Sequence, residues 1–433
     1  MAERDGIERS TTGHAVTGRP MLDGVVNTRP ITPCLQPKNE QPPALLGGRP
    51  LCDLGLRLTE PTLPPLDLLA PDLAGMWERR WLTNDGPLCR RFGEALRVRL
   101  GVAAVVPTAS GTAGLIAVLR GLGIGGEVIV PSFTFSATAM AVAAAGAVPI
   151  FADVDPGTWA LTAETAASQI GPRTEAILAV HVFGWPCDPV PLERLALAHG
   201  LALVFDAAHA FGCRYPDGTA VGTGGDAEVF SFHATKLLAV GEGGAIATRD
   251  ADLARRFAAA THFGDGADSL PGLIGTNGKL QEWNAVLGWH GLRRVDAWIA
   301  RRAAMVRRYR QELRDLPGLN FQIGPAGSRP NHQYLPVAVD AAAFGLSADE
   351  LVCVLRAEGL EARRYFAPAL HRHPAFVSLS PSVLPVADRL ASQALCLPLY
   401  SHLEATAVDL VCHALRRAHR WRRELRSATT SVR

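Results

Sequence analysis

The stretch Phe230-Ser-Phe-His-Ala-Thr-Lys-Leu-Leu-Ala-Val-Gly-Glu-Gly-Gly244 sets one lysine, Lys236, between an apolar-aromatic run and a glycine cluster. Two readings of that lysine stand side by side. It is a solvated charge at the end of a strand, as most lysines are. Or it is partly buried beside tight-turn glycines, where desolvation lowers its pKa and makes it a nucleophile toward carbonyls. The segments on either side of it decide between them.

Upstream, short apolar runs alternate with helical stretches from Ala103 onward. Strands are expected at 105–106, 127–130, 148–151, 176–180, 201–205, 229–232 and 244–247. Between the first five, helices are expected over 113–121, 136–146, 162–170 and 191–199. This rhythm implies a seven-stranded, mostly parallel sheet between layers of helices. In such sheets ligands bind beyond the carboxyl ends of strands. Ser110 to Thr112, Phe133 to Phe135, Asp206 and Ser231 to Lys236 all fall there, so they can converge although they are far apart in the chain.

Outside that region the text is different. Residues 1–60 are rich in Pro, Gly, Thr and Arg without periodicity, and read as a disordered or loosely attached arm. A large α/β domain is expected over 61–316, closing with a long helix over 280–316 that breaks near Asp296. A smaller α+β domain is expected over 317–433, with strands at 333–339 and 360–365, helices at 347–358 and 403–420, and a frayed basic tail.

Composition removes several classes of function. The 433 residues are 48% hydrophobic and 19% charged, enough apolar material for a large core. A formal charge of +2 makes no electrostatic case for nucleic acid. The eight cysteines are scattered without a CxxC pair, so neither a zinc site nor a disulfide framework is indicated, and a reducing cytoplasm fits. No apolar run reaches the ~18 residues of a membrane span, and the first residues show no apolar core of a secretory signal.

Taken singly, the candidate residues keep bland alternatives. Ser110-Gly111-Thr112 ahead of an Ala-rich helix is an anion site for phosphate, or a plain N-cap. Asp206 is a carboxylate poised for a buried cation, or the cap of a following helix. His209 shares its face one helical turn on, or is a satisfied core histidine. Phe133 and Phe135 are core, or one of them stacks on a planar ligand, with Phe135 the candidate. Gly121 to Gly126 follows a helix rather than a strand and is no dinucleotide fingerprint. Together, a lysine, a strand-end carboxylate, a phosphate cup that includes Ser231 and a stacking aromatic suit pyridoxal phosphate.

At this point the residues resemble a known family. Ser110-Gly-Thr112, Pro131-Ser-Phe-Thr-Phe-Ser-Ala-Thr138, Asp206-Ala-Ala-His-Ala210, Phe230 to Lys236, Gly241-Glu-Gly-Gly244 and Gly275-Thr-Asn-Gly-Lys-Leu280 are similar to the DegT/DnrJ family of PLP-dependent nucleotide-sugar aminotransferases, over about residues 60 to 415. The resemblance implies the fold-type I PLP-transferase architecture. It implies that Lys236 carries the cofactor and Asp206 partners the ring nitrogen. His209 would contact the phenolic oxygen and Phe135 would stack on the ring. Gly111, Thr112 and Ser231 would hold the phosphate. Asn277 would reach the phosphate of a neighbouring subunit, which implies a homodimer with shared sites. The family's Asn-Tyr-Arg-Met is here Asn277-Gly-Lys-Leu280.

Trp81 to Pro87, and Glu361 to Phe366 with His371, look like the branch that aminates carbon 4 of dTDP-4-keto-6-deoxyglucose with glutamate as donor. Arg363, Arg364 and Tyr365 are substrate candidates, or a solvated strand end. Relatives that dehydrate sugars carry histidine where this chain has Lys236, so transamination is favoured. The alternatives are a dehydratase or epimerase of the same fold, and a non-catalytic PLP-binding regulator. No metal is expected.

Overall fold

The computed structural model describes residues 41–265, 272–379 and 383–430. Seven strands form one sheet: β1 (Ala104–Thr108), β2 (Glu127–Pro131), β3 (Val148–Ala152), β4 (Thr174–Val180), β5 (Ala202–Asp206), β6 (Ala227–Ser231) and β7 (Gly244–Thr248). Their spatial order is β1-β7-β6-β5-β4-β2-β3, and only β7 runs antiparallel to its neighbours. Helices cover both faces, so the strands need no alternation of polar and apolar residues. Val128, Ile129, Val130, Ile177, Leu178, Val204, Phe205, Val229, Phe230 and Ile246 are all sealed from solvent. Each such side chain contributes roughly 1.5–3 kcal/mol on burial.

The crossovers between parallel strands begin and end where local chemistry dictates. Ser110 caps helix Gly111–Leu122 by accepting from the Ala113 N–H, and Gly123 in the left-handed region stops it. Helix Pro189–His199 starts with Asp188 as cap and Pro189 at its first position, and ends at Gly200, also left-handed. The long helix is two helices, Glu282–Leu292 and Val295–Glu312, which part at Arg293–Arg294.

The second core lies around a three-stranded antiparallel sheet, β8 (Leu319–Phe321), β9 (Leu335–Val339) and β10 (Ala394–Leu397), ordered β10-β9-β8. Helices Ala348–Ala357 and Ala405–Arg420 bury one face each against it. The strand expected at 360–365 is absent. Leu360 and Arg363 instead make isolated bridges to Leu56 and Cys396, because the first of these partners comes from far upstream.

Both ends of the described chain differ from the sequence reading. Residues 1–40 of the expected arm lie outside the described residues, but 41–60 are attached to the small domain. Buried Glu358 accepts from Ala44 N–H (3.0 Å) and Leu51 N–H (3.2 Å), and Arg417 pairs with it at 3.4 Å. Arg417 also donates to the Pro42 carbonyl. Leu58 enters the large core and its N–H donates to Glu361. These bonds run to side chains hundreds of residues away, so they leave no local periodicity. The expected frayed tail is helical over Arg422–Thr430, because Leu425 is fully buried in the second core; residues 431–433 lie outside the described residues.

Candidate active site

The lysine loop is built by the one antiparallel return in the main sheet. β6 ends at Ser231, which pairs with Gly244, the first residue of β7. Between them the loop is zipped at its base: Phe232 N–H donates to Gly243 O, Val240 N–H to Phe232 O and Ala234 N–H to Gly241 O, each at 2.8 Å. A Cβ on Gly244 would lie 2.6 Å from Phe230 O and 2.7 Å from Gly111 N, so only glycine lets β7 pass the start of helix Gly111–Leu122. Glu242, which has no role legible in the sequence, faces His233 at 3.5 Å on the surface.

Lys236 stands half-buried in this loop, its Nζ 5.8 Å from the centre of the Tyr334 ring. Burial pushes its pKa down to about 8, and the Asp206 carboxylate offsets part of that. Asp206 closes β5, flanked in register by Val180 and Val229. Its Oδ2 accepts from the Thr138 hydroxyl at 2.7 Å and its Oδ1 from the Ala208 N–H at 3.1 Å. Burial raises its pKa, while those two donors and Lys236 pull the other way. Thr138 sits inside the Pro131–Thr138 motif, yet its bond to Asp206 could not be read from the sequence.

His209 is buried and held well below its ordinary pKa by desolvation and by Lys236. Its Nδ1 accepts from the Phe183 N–H at 3.1 Å, which leaves the proton on Nε2, free to donate. The ring stacks with Phe183 and Phe366 and meets Tyr334 edge-on at 5.2 Å. Tyr334, unremarked in the sequence, thus joins Lys236 to His209.

The anion cup lies at the start of helix Gly111–Leu122. Ser110's hydroxyl is taken by Ala113, and the Gly111 and Thr112 N–H groups, in the first turn, have no intrahelical acceptor. A Cβ on Gly111 would touch Ser231 Cβ at 3.1 Å, so Ser231 stands at the cup's rim. Asn277 is exposed and precedes Gly278, whose carbonyl accepts from Ala109 N–H at 2.7 Å.

The remaining candidates divide. Phe135, at the N-cap of helix Ser136–Ala145, is 55% exposed, and its ring centre lies 6.4 Å from that of Phe366. Tyr365 meets Tyr334 edge-on at 5.5 Å, so it borders the ring that faces Lys236 and His209. Arg363 is exposed, pairs with Glu361 and lies 3.5 Å from the Tyr365 hydroxyl. Arg364 turns away from the cleft, pairing with Asp349 and donating to the carbonyls of Ala394 (2.8 Å) and Ala391 (2.5 Å). His371 is buried against Ser132, with Oγ to Nδ1 at 2.6 Å.

The family model for the DegT/DnrJ/EryC1/StrS aminotransferases matches residues 69–416. This chain belongs to that family. It is 35% identical over 362 residues to the dTDP-4-amino-4,6-dideoxy-D-glucose transaminase of Shigella dysenteriae, covering 83% of this chain and 98% of that protein. It is 36% identical over 312 residues to the dTDP-3-amino-3,4,6-trideoxy-alpha-D-glucose transaminase of Streptomyces venezuelae, covering 71% and 80%. Among solved structures, DesI crystallised with its TDP-sugar product superposes with a TM-score of 0.85 at 39% identity, covering 89% of this chain and 98% of that one.

The chain is therefore an aminotransferase with the fold-type I architecture and pyridoxal phosphate as its cofactor. The residues present fit that group. Gly111 and Gly244 let β6, β7 and the start of helix Gly111–Leu122 pack closely together, and the Gly111 and Thr112 N–H groups in the helix's first turn have no intrahelical acceptor. Lys236 is a desolvated amine, and Asp206 a buried carboxylate held by donors on both oxygens.

Proposed function

We propose that this protein moves the amino group of glutamate to carbon 4 of dTDP-4-keto-6-deoxyglucose. The observation that carries the chemistry is Lys236, an amine held near a pKa of about 8 beside the buried Asp206. The activity of the Shigella relative and the TDP-sugar product of DesI support the substrate.

Pyridoxal phosphate supplies an electron sink that makes a proton on the substrate carbon labile. The chain's own residues do the rest. Lys236, neutral in a useful fraction near pH 8, takes that proton and returns it. Asp206 holds the proton of the ring nitrogen, and Thr138 and Ala208 keep its carboxylate oriented. His209 donates from Nε2 toward the phenolic oxygen. Gly111, Thr112 and Ser231 hold the phosphate, and Phe135 covers the ring. Arg363 and Tyr365, at the open side of the cleft, face the nucleotide sugar.

The working unit we infer is a homodimer in the cytoplasm, with Asn277 completing the partner's phosphate site. Trp77, Phe263 and Ile274 are each at least 60% exposed and offer apolar surface to a partner subunit. No described helix is long and apolar enough to cross a membrane, and all seven described cysteines are free.

The test is incubation with glutamate and a panel of 3-keto and 4-keto dTDP- and UDP-sugars, with products read by mass and NMR. A 4-amino dTDP-sugar formed in step with 2-oxoglutarate is expected. Preferred amination at carbon 3, or of UDP-sugars, would refute the substrate assignment. Sugar turnover without 2-oxoglutarate would point to a dehydratase or epimerase instead.

A further inference from the structure

We propose that Gln333 is a positioning residue for Lys236, gripping the lysine's backbone from the entrance of β9 and fixing where the amine stands. The proposal rests on Lys236 being the reactive amine of the proposed function.

The grip has two points. Leu237 N–H donates to Gln333 Oε1 at 2.8 Å, and Gln333 Nε2 donates to Thr235 O at 2.8 Å. Thr235 and Leu237 flank Lys236, so one side-chain amide spans the lysine on both sides. The two partners also settle the amide's orientation, since a carbonyl demands the NH₂ and an N–H demands the oxygen.

The grip is itself held. Gln333 N–H donates to Asn331 Oδ1 at 2.8 Å. Asn331 Nδ2 donates in turn to the carbonyls of His209 (2.8 Å) and Phe211 (2.9 Å). From the other side Arg302 donates to Gln333 O at 3.0 Å and His332 O at 3.3 Å, and to Ser401 Oγ at 2.9 Å. Asn331, Gln333 and Arg302 are all buried. Gly184 gives this segment its room, because a Cβ there would collide with Asn331 Oδ1.

Arg302 is the telling member. A buried guanidinium whose described hydrogen bonds all go to neutral acceptors is costly to keep, and burial lowers its pKa to about 10. An apolar side chain would fill the same volume without that penalty. Besides the bond to Ser401, it donates to the two residues that precede Tyr334, whose ring faces both Lys236 and His209. The segment 331–334 thus ties the lysine loop and the His209 segment to one support.

The variant Gln333→Met keeps the length and removes both hydrogen bonds. Three readouts apply. In cofactor-free protein, the pH midpoint of Lys236 acetylation is followed by mass spectrometry; the titratable and charged groups facing the amine are Asp206, His209 and Tyr334. Hydrogen exchange is followed at the Leu237 amide. In the holoenzyme, kcat is separated from KM for both substrates.

The expected result is a midpoint raised toward that of free lysine, and Leu237 exchange faster by on the order of 10-fold or more. With it, kcat falls on the order of 10–100-fold while both KM values stay within about twofold. An unchanged midpoint overturns the proposal, whether kcat holds or falls together with affinity. If the variant does not fold, exchange in the unaltered protein decides. Leu237 must then be protected at least as well as Phe232 and Val240 at the loop's base, and a fast Leu237 overturns the proposal. Failure of the functional reading shows separately, as an unaltered protein that borohydride does not tag at Lys236 with the mass of the cofactor.

Discussion

Replacing Lys236 by methionine should stabilise the cofactor-free protein at neutral pH while abolishing its activity. The folded state holds this lysine at about 8, against an ordinary 10.5. At ~1.4 kcal/mol per pH unit, that difference disfavours the folded ammonium by roughly 3 kcal/mol as an upper bound. The sign follows from proton binding. Between pH 8 and 10.5 the unfolded chain binds the proton and the folded chain does not, so stability rises with pH across that window. Below pH 8 both states are protonated and the whole penalty is present. Above 10.5 both are neutral and it vanishes. Methionine fills similar space without charge, so the variant escapes the penalty. Urea unfolding of both apo-proteins at pH 7 and again near pH 10 should show the variant ahead at pH 7 by up to about 3 kcal/mol and the gap closing as the pH climbs. A variant no more stable at pH 7, or a gap indifferent to pH, would refute the account of a desolvated amine.

Three further outcomes are expected. Asp206→Asn keeps the bonds to Thr138 and Ala208 within reach but removes the charge that holds a ring-nitrogen proton; turnover at saturating substrate should fall on the order of 10²–10⁴-fold, and near-normal turnover would contradict the assignment. Gly244→Ala places a Cβ 2.6 Å from Phe230 O and 2.7 Å from Gly111 N; the forced shift of the cup should weaken cofactor binding by about 1–3 kcal/mol, roughly 5–150-fold in Kd by fluorescence titration. Arg363→Met should raise the KM for the nucleotide sugar severalfold, whereas Arg364→Met, removing only ties to Asp349, Ala394 and Ala391, should lower the unfolding midpoint and leave that KM within about twofold.

What the sequence made legible follows from burial. Strands covered on both faces read as apolar runs, so the ends of β5 and β6 were easy to find, and with them Asp206, Ser231 and the approach to Lys236. Residues that act through a distant backbone were not. Gln333 lies 96 residues from Leu237, and nothing in its own neighbourhood signals the bond. Arg302 sits in an arginine-rich helix, yet it is among the largest fully buried side chains of the described residues. Arg363 and Arg364 are adjacent and chemically identical. Only the fold shows that one is exposed beside the Tyr365 hydroxyl while the other braces the small domain.

The attachment of residues 41–58 bears on how the polypeptide is made. Ala44 must find Glu358, 314 positions later, and Pro42 must find Arg417, 375 positions later. At roughly 5–20 residues per second, a ribosome keeps that early segment waiting on the order of 15–75 s. Throughout that interval the Ala44, Leu51 and Leu58 N–H groups lack the Glu358 and Glu361 carboxylates to which they donate. A segment made long before the small domain thus docks only after that domain has emerged, and the large domain has time to form its sheet first.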